Sequence, residues 1–144
     1  MERHLFVYGS LLSDIRSRIA DYLHRNSRFV SIGHVPGRLY DLGRYPGLVY
    51  DPEAPTLVMG NTLELNEPEK IIPVLDDYEM GASGDPALNE YRRELQAVRA
   101  GQQTIWCWIY LYNLSTAGLR LIPSGNYLEY LSGNPDHQRF LDSV

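Results

Sequence analysis

The run Leu5-Phe6-Val7-Tyr8-Gly9-Ser10-Leu11-Leu12 reads as a short buried strand that stops at a glycine-serine turn. Helical spacing follows from Asp14, with Ile15, Ile19, Tyr22 and Leu23 recurring on one face and Ser13 available as N-cap. A strand that feeds such a turn straight into a helix gathers backbone N–H groups without local partners at one point. That nest suits an anionic or carbonyl-bearing ligand. Strand–glycine–helix turns also occur where nothing binds, so the turn alone assigns no ligand. Its spacing is neither the G-x-G-x-x-G of dinucleotide sites nor the G-x-x-x-x-G-K of phosphate loops, and no nucleotide is implied.

Working outward, 144 residues suit a single domain over 1–144, long enough to bury a core without staples. With 44% hydrophobic and 22% charged residues the chain reads as globular, not disordered. Its net charge of −5 gives no electrostatic support for nucleic acid as a partner, and the basic residues, all Arg except Lys70, lie scattered. Cys107, the single cysteine, excludes an intrachain disulfide and any cysteine-rich zinc site, and within Ile105-Trp106-Cys107-Trp108-Ile109 it reads as a packed strand residue. No secretory signal opens the sequence, and no apolar run approaches the ~20 residues of a membrane span. A cytoplasmic protein without a membrane partner is expected.

Further along, Arg28 to His34 alternates as a strand with Val30 and Ile32 on one face. Val35-Pro36-Gly37 reads as a turn, and Arg38 to Leu42 as another strand. Leu48-Val49-Tyr50 follows the interruption at 43–47, and after the proline loop 51–55 one long strand carries Leu57, Met59, Leu63 and Leu65. Asn66 is placed to cap a helix, with Glu69 in the capping-box position and Pro68 in the first turn. Ile71, Leu75 and Tyr78 supply its inner face, and Pro73 predicts a kink or two short pieces. Residues 80–90 form a loop. Tyr91 to Arg99 and Thr104 to Asn113 then read as a hairpin, the first strand with Tyr91, Arg93, Leu95 and Ala97 on one face. The second is apolar on both faces and so central. The tail from Ser124 is short helix and coil. Many strands, few helices and no β-α-β rhythm predict an α+β fold with a largely antiparallel sheet.

Three carboxylates, Asp76, Asp77 and Glu79, close the predicted helix where its dipole is negative, an unfavourable placement of about 0.3–1 kcal/mol per charge. A broken local rule of this kind marks either a frayed, solvated helix end or a site. The least solvated of the three would have a raised pKa, which suits a general base near neutral pH.

Val7-Tyr8-Gly9-Ser10-Leu11 resembles the signature of the gamma-glutamylcyclotransferase-like family. So do Arg44-Tyr45-Pro46-Gly47, Leu75-Asp76-Asp77-Tyr78-Glu79, Glu90-Tyr91-Arg92-Arg93 and Gly118 to Gly125, which occur in the family's order. The resemblance implies a small mixed β-barrel with flanking helices and a pocket at one end. It also implies an enzyme that converts a γ-glutamyl amine, amide or peptide to 5-oxoproline and a free amine. Leu-Asp-x-x-Glu at 75–79 places Glu79 on the family's catalytic glutamate. Asp76 then reads as structural and Asp77 as exposed. Neither metal nor organic cofactor is needed, and the expected partner is a small γ-glutamyl compound.

The turn residues Gly9, Ser10 and Leu11 would offer backbone N–H groups to a carboxylate or oxyanion, Gly9 by allowing close approach. Tyr8 and Tyr45 are candidates to line the pocket and its mouth. Tyr91 and Arg93 match the family's Tyr-x-Arg, and an inward Arg93 must find an anion: Glu79, a structural partner or the substrate. Two rival readings remain. A non-catalytic binding protein on the same fold has no need of Glu79. A serine hydrolase built on Ser10 lacks the flanking glycines of G-x-S-x-G, where Tyr8 and Leu12 stand.

Overall fold

Five strands close on one another in this computed structural model, which describes residues 1–12, 17–80 and 85–133. The strands are β1 (His4–Val7), β2 (Ser27–Asp41), β3 (Pro46–Tyr50), β4 (Leu57–Leu65), β5 (Tyr91–Ala100), β6 (Gln103–Tyr112) and β7 (Arg120–Ile122). The helices are α1 (Arg18–Arg25), α2 (Pro68–Met80) and α3 (Tyr127–Ser132), with a 3-10 turn at Pro86–Leu88. Hydrogen bonding runs β2-β4-β1-β6-β5, and β5 returns to β2 through His34 and Arg99, making a closed mixed barrel. Among the described strands only the β1–β6 contact, Leu5 opposite Trp108, is parallel. The α+β, largely antiparallel barrel with flanking helices is thus the fold observed.

Phe6 fills the barrel because two facing strands give up side chains for it. A Cβ on Gly60 would lie 2.7 Å from Phe6 Cζ and 2.2 Å from the Val7 carbonyl oxygen. β1 is buried along its apolar residues and lies between β4 and β6, which is why it reads as a continuous hydrophobic run.

The structure departs from the sequence pattern at several points. β2 is one strand of 15 residues, not two with a turn at Pro36. Its first part pairs with β4 as far as Pro36–Leu57, and from Gly37 it pairs with β3 and then β7. Proline therefore stands where the ladder changes partner, and its missing N–H interrupts neither ladder. Val30 and Ile32 do not share a buried face, because the register shifts between Phe29 and Ser31 and leaves Ile32 51% exposed. Ser31 uses the irregularity to satisfy the fully buried Thr62, whose hydroxyl donates to the Ser31 carbonyl (2.8 Å) and accepts from its N–H (3.1 Å).

α1 is capped by Ser17, whose hydroxyl accepts from the Ala20 N–H. The expected helix start, with Ser13 as cap and Ile15 on its inner face, lies outside the described residues. α2 begins one residue later than expected. The Glu67 carbonyl accepts from Lys70 and Ile71, while Asn66 spends its N–H on the Asn26 carbonyl. The helix runs unbroken through Pro73, which faces solvent, so the carbonyl it leaves unbonded has access to water. Its inner face is Ile71, Ile72 and Leu75; Tyr78 is half exposed, since the helix end has passed the barrel rim. The β5–β6 hairpin forms about Gly101-Gln102 with β6 interior to the sheet, although Leu95 and Trp106 stay on the outer surface. Loop residues 81–84 fall outside the described residues.

Candidate active site

At one end of the barrel β1 gives way to a turn in which the Gly9 carbonyl accepts from the Leu12 N–H (2.9 Å). His24 on α1 pins this turn by donating from Nε2 to the Leu11 carbonyl (2.7 Å). Gly9 is required by packing more than by backbone conformation. A Cβ there would come within 2.5 Å of Pro46 Cγ, and its φ is not positive.

The last turn of α2 passes over this point, and two adjoining recesses result. Phe6, Val7, Tyr8, Gly9, Ser10, Leu11, Pro46, Glu79, Tyr91 and Tyr110 line the inner one. Ser10, Tyr45, Tyr78, Glu79, Glu90 and Tyr91 line the outer one. Glu79, Ser10 and Tyr91 belong to both. Among the described residues neither lining includes a Lys, Arg or His.

Burial raises the Glu79 carboxyl from the ordinary carboxylate range to about 8, and the negative charge of Glu90 adds to the effect. A carboxylic acid held in this way is mostly protonated at neutral pH yet gives up its proton readily.

The tyrosines divide into two groups. Tyr8 donates to the Tyr110 carbonyl (2.6 Å) and accepts from the Leu48 N–H (3.2 Å), and Tyr91 donates to the Pro46 carbonyl (2.6 Å). Burial pushes both phenols far above their normal range, so they present rings to the recess and spend their protons on backbone. Tyr45 donates to Glu90 Oε1 (2.5 Å), and Tyr78 is hydrogen-bonded to the Ser10 side chain.

Arg93 does not line the recess. Its Nε and an Nη hold both oxygens of Asp76 at 2.9 and 3.2 Å, and its guanidinium lies 4.2 Å from the centre of the Trp108 ring. Tyr110 donates to the same Asp76 oxygen (2.7 Å). The anion that an inward Arg93 must find is therefore Asp76, not Glu79. Asp77 is exposed.

Sequence reasoning passed over three contributors. Glu90 was visible as the residue before Tyr91 but lay at the edge of a loop. His24 and Tyr110 become relevant only once α1 and β6 are folded against the turn and α2. Cys107 is a packed strand residue with its thiol pushed up to about 12, chiefly by burial. Among the described residues no group of His, Cys, Asp or Glu is placed to hold a metal ion, and no helix is long and apolar enough to cross a membrane.

A carboxyl of raised pKa over a glycine-serine turn, at the mouth of a small mixed barrel, is the frame against which known proteins compare. The family model for gamma-glutamyl cyclotransferase, AIG2-like, matches residues 5–129, and the chain belongs to that family. Among solved structures the fold is shared with YkqA of Bacillus subtilis at a TM-score of 0.71 and 22% identity, over 94% of this chain and 43% of that one. This chain thus spans less than half of YkqA. The ytfP protein of Escherichia coli superposes at a TM-score of 0.61 with 27% identity, covering 88% of this chain and 97% of that one. An AIG2-like protein of Mus musculus does so at 0.59 with 21% identity, over 87% and 93%. No curated protein matches the chain in sequence.

Proposed function

We propose that this chain is a cyclotransferase that converts a γ-glutamyl amine, amide or peptide to 5-oxoproline and a free amine, with Glu79 as general base and then general acid. The observation that carries the reading is the desolvated Glu79, with its carboxyl pushed up to about 8, in a recess also lined by the Gly9-Ser10-Leu11 turn. Family membership adds to it.

The chemistry is intramolecular. The α-amine nitrogen attacks its own γ-carbonyl carbon, so ring closure needs folding of the substrate more than recruitment of a second reactant. An ammonium cannot attack, and its proton must first leave. An ordinary carboxylate near 4.3 lies about 4 units below an α-amino group near 8, so taking that proton would cost about 5 kcal/mol. Glu79 at about 8 nearly closes the gap. Its burial therefore serves the base step directly.

As the carbon–nitrogen bond forms, charge develops on the γ-carbonyl oxygen, and the N–H groups of the 9–11 turn are suited to receive it. Glu79, now protonated, returns the proton to the departing nitrogen as the original amide bond breaks. The attacking nitrogen must also lose a second proton to become a lactam nitrogen. That proton passes to the released amine, so the products are the lactam and an ammonium, Glu79 is left as it began, and no proton is left over. Tyr8, Tyr45 and Tyr91 shape the cavity with their rings, which keeps water from the amide.

The test is release of 5-oxoproline from a panel of γ-glutamyl amines, amides and peptides. Wild-type protein should release it, and Glu79→Gln should lower the rate by about 10²–10⁴-fold while still folding. No release from any member, or an unchanged rate in the variant, overturns the reading.

A further inference from the structure

The outer recess holds the carboxyl groups of Glu79 and Glu90 and three phenol rings, and among the described residues its lining has no basic side chain. Glu79 is shared with the inner recess, so it stands at the boundary between the two. A glutamyl group seated over the 9–11 turn, with its amide beside Glu79, sends its leaving nitrogen outward past Tyr45, Tyr78 and Glu90. Glu90 has one oxygen, Oε1, engaged by the Tyr45 hydroxyl. It is close enough to Glu79 for their charges to interact unfavourably. The rings of Tyr45 and Tyr91 lie beside it, their centroids 6.2 Å apart. A carboxylate with lone pairs to spare, set among aromatic faces, is suited to an ammonium or guanidinium through a charge-assisted hydrogen bond and cation–π attraction. A leaving group that ends in a carboxylate meets the like charge of Glu90 there and, among the described residues, no cation in the lining.

We propose that Glu90 determines specificity at this site by selecting γ-glutamyl amides whose leaving amine carries a second, distal positive charge. The inference rests on the cyclotransferase reading and goes beyond it in fixing the charge of the leaving group. The distal cation is received by the Glu90 carboxylate and the Tyr45 and Tyr91 rings. A neutral chain gains only the ring contacts. An anionic one is repelled.

Three γ-glutamyl amides of equal length test this: those of 1,4-diaminobutane, n-butylamine and 4-aminobutyrate. The kcat/KM for 5-oxoproline release should fall in that order, by about tenfold at each step. Glu90→Gln keeps an acceptor for Tyr45 and removes the charge. The ratio of cationic to neutral substrate, taken within each enzyme so that any change in Glu79 cancels, should drop from about tenfold to near one. A neutral or anionic amide used as well as the cationic one, or an unchanged ratio in Glu90→Gln, overturns the proposal. If the variant does not fold, the same ratio is followed in wild type as salt is raised. It should shrink with screening, and a constant ratio overturns the proposal.

Should none of the three release 5-oxoproline, the cyclotransferase reading fails, and calorimetric binding of the same amides still decides the role of Glu90. Tightest binding of the cationic amide supports it, and equal affinities refute it.

Discussion

Glu79 holds a proton over most of the neutral range because burial denies its carboxylate hydration. This has a consequence for stability. Its folded pKa of about 8 exceeds the unfolded 4.5, so between those values the native state keeps a proton that the unfolded chain releases. Its contribution to stability is complete below the unfolded pKa and is lost as pH rises towards 8. Glu79→Gln removes the dependence. The variant should gain on wild type from about pH 5 upward, by up to roughly 4 kcal/mol at pH 8, in urea unfolding at a series of pH values. Parallel stability curves would mean that Glu79 is solvated. The turn beneath it offers a second comparison. Gly9→Ala sets a Cβ 2.5 Å from Pro46 Cγ and should cost about 1–3 kcal/mol together with affinity for 5-oxoproline. Ser10→Ala keeps every backbone N–H, loses the Tyr78 bond and should cost about 1 kcal/mol or less. Thermal unfolding and calorimetry separate the two. A folded, inactive Ser10→Ala that still binds 5-oxoproline would assign chemistry to the hydroxyl.

α2 ends on a negative dipole with no basic residue in its last turn, and the compensating charge comes from another element. Arg93 of β5 grips Asp76 with two hydrogen bonds and braces its guanidinium on Trp108 of β6. This bond ties the helix end, and hence Glu79 one turn further on, to the sheet. Arg93→Ala leaves Asp76 about one-fifth exposed without its cation. The expected loss is about 2–3 kcal/mol, below the cost of breaking a fully buried pair because water reaches the site. The turnover number should fall more than the Michaelis constant rises, since Glu79, the proposed base, is displaced while the 9–11 turn stays in place. Arg93→Lys should recover part of the stability but not the two-pronged grip. If Arg93→Ala is as active as wild type, Glu79 is positioned by something other than this tie. The helical half of this arrangement was legible in the sequence as a cluster of acids at a helix end. The pairing partner, from a strand 17 residues away, was not.

Closure of the barrel brings together what the chain keeps far apart, and Phe6 sits at its centre because Gly33 and Gly60 make room. Gly60→Ala would drive a Cβ to 2.2 Å from the Val7 carbonyl oxygen, a backbone atom that cannot turn aside. β1 must then separate from β4, and the Tyr8–Leu11 turn at its end moves with it. A loss of about 3 kcal/mol or more is expected, with loss of 5-oxoproline binding, both measurable by thermal unfolding with and without the ligand. A variant that unfolds and binds like wild type would show that the barrel tolerates the displacement. The alternation of apolar residues and the turn residues were enough to place most strands, both long helices in outline and the glycine-serine turn, because side-chain period and backbone preference are local properties. The acids of 76–79 and the ordered motifs likewise singled out Glu79. Tertiary structure alone settled the rest. Pro36 lies inside a strand because the ladder changes partner there, Ile32 faces solvent because a register shift precedes it, and Arg93 belongs to Asp76. The protonation of Glu79 likewise depends on residues remote in sequence that exclude water from it. Pairing and desolvation are sums over neighbours in space, and a linear pattern does not list those neighbours.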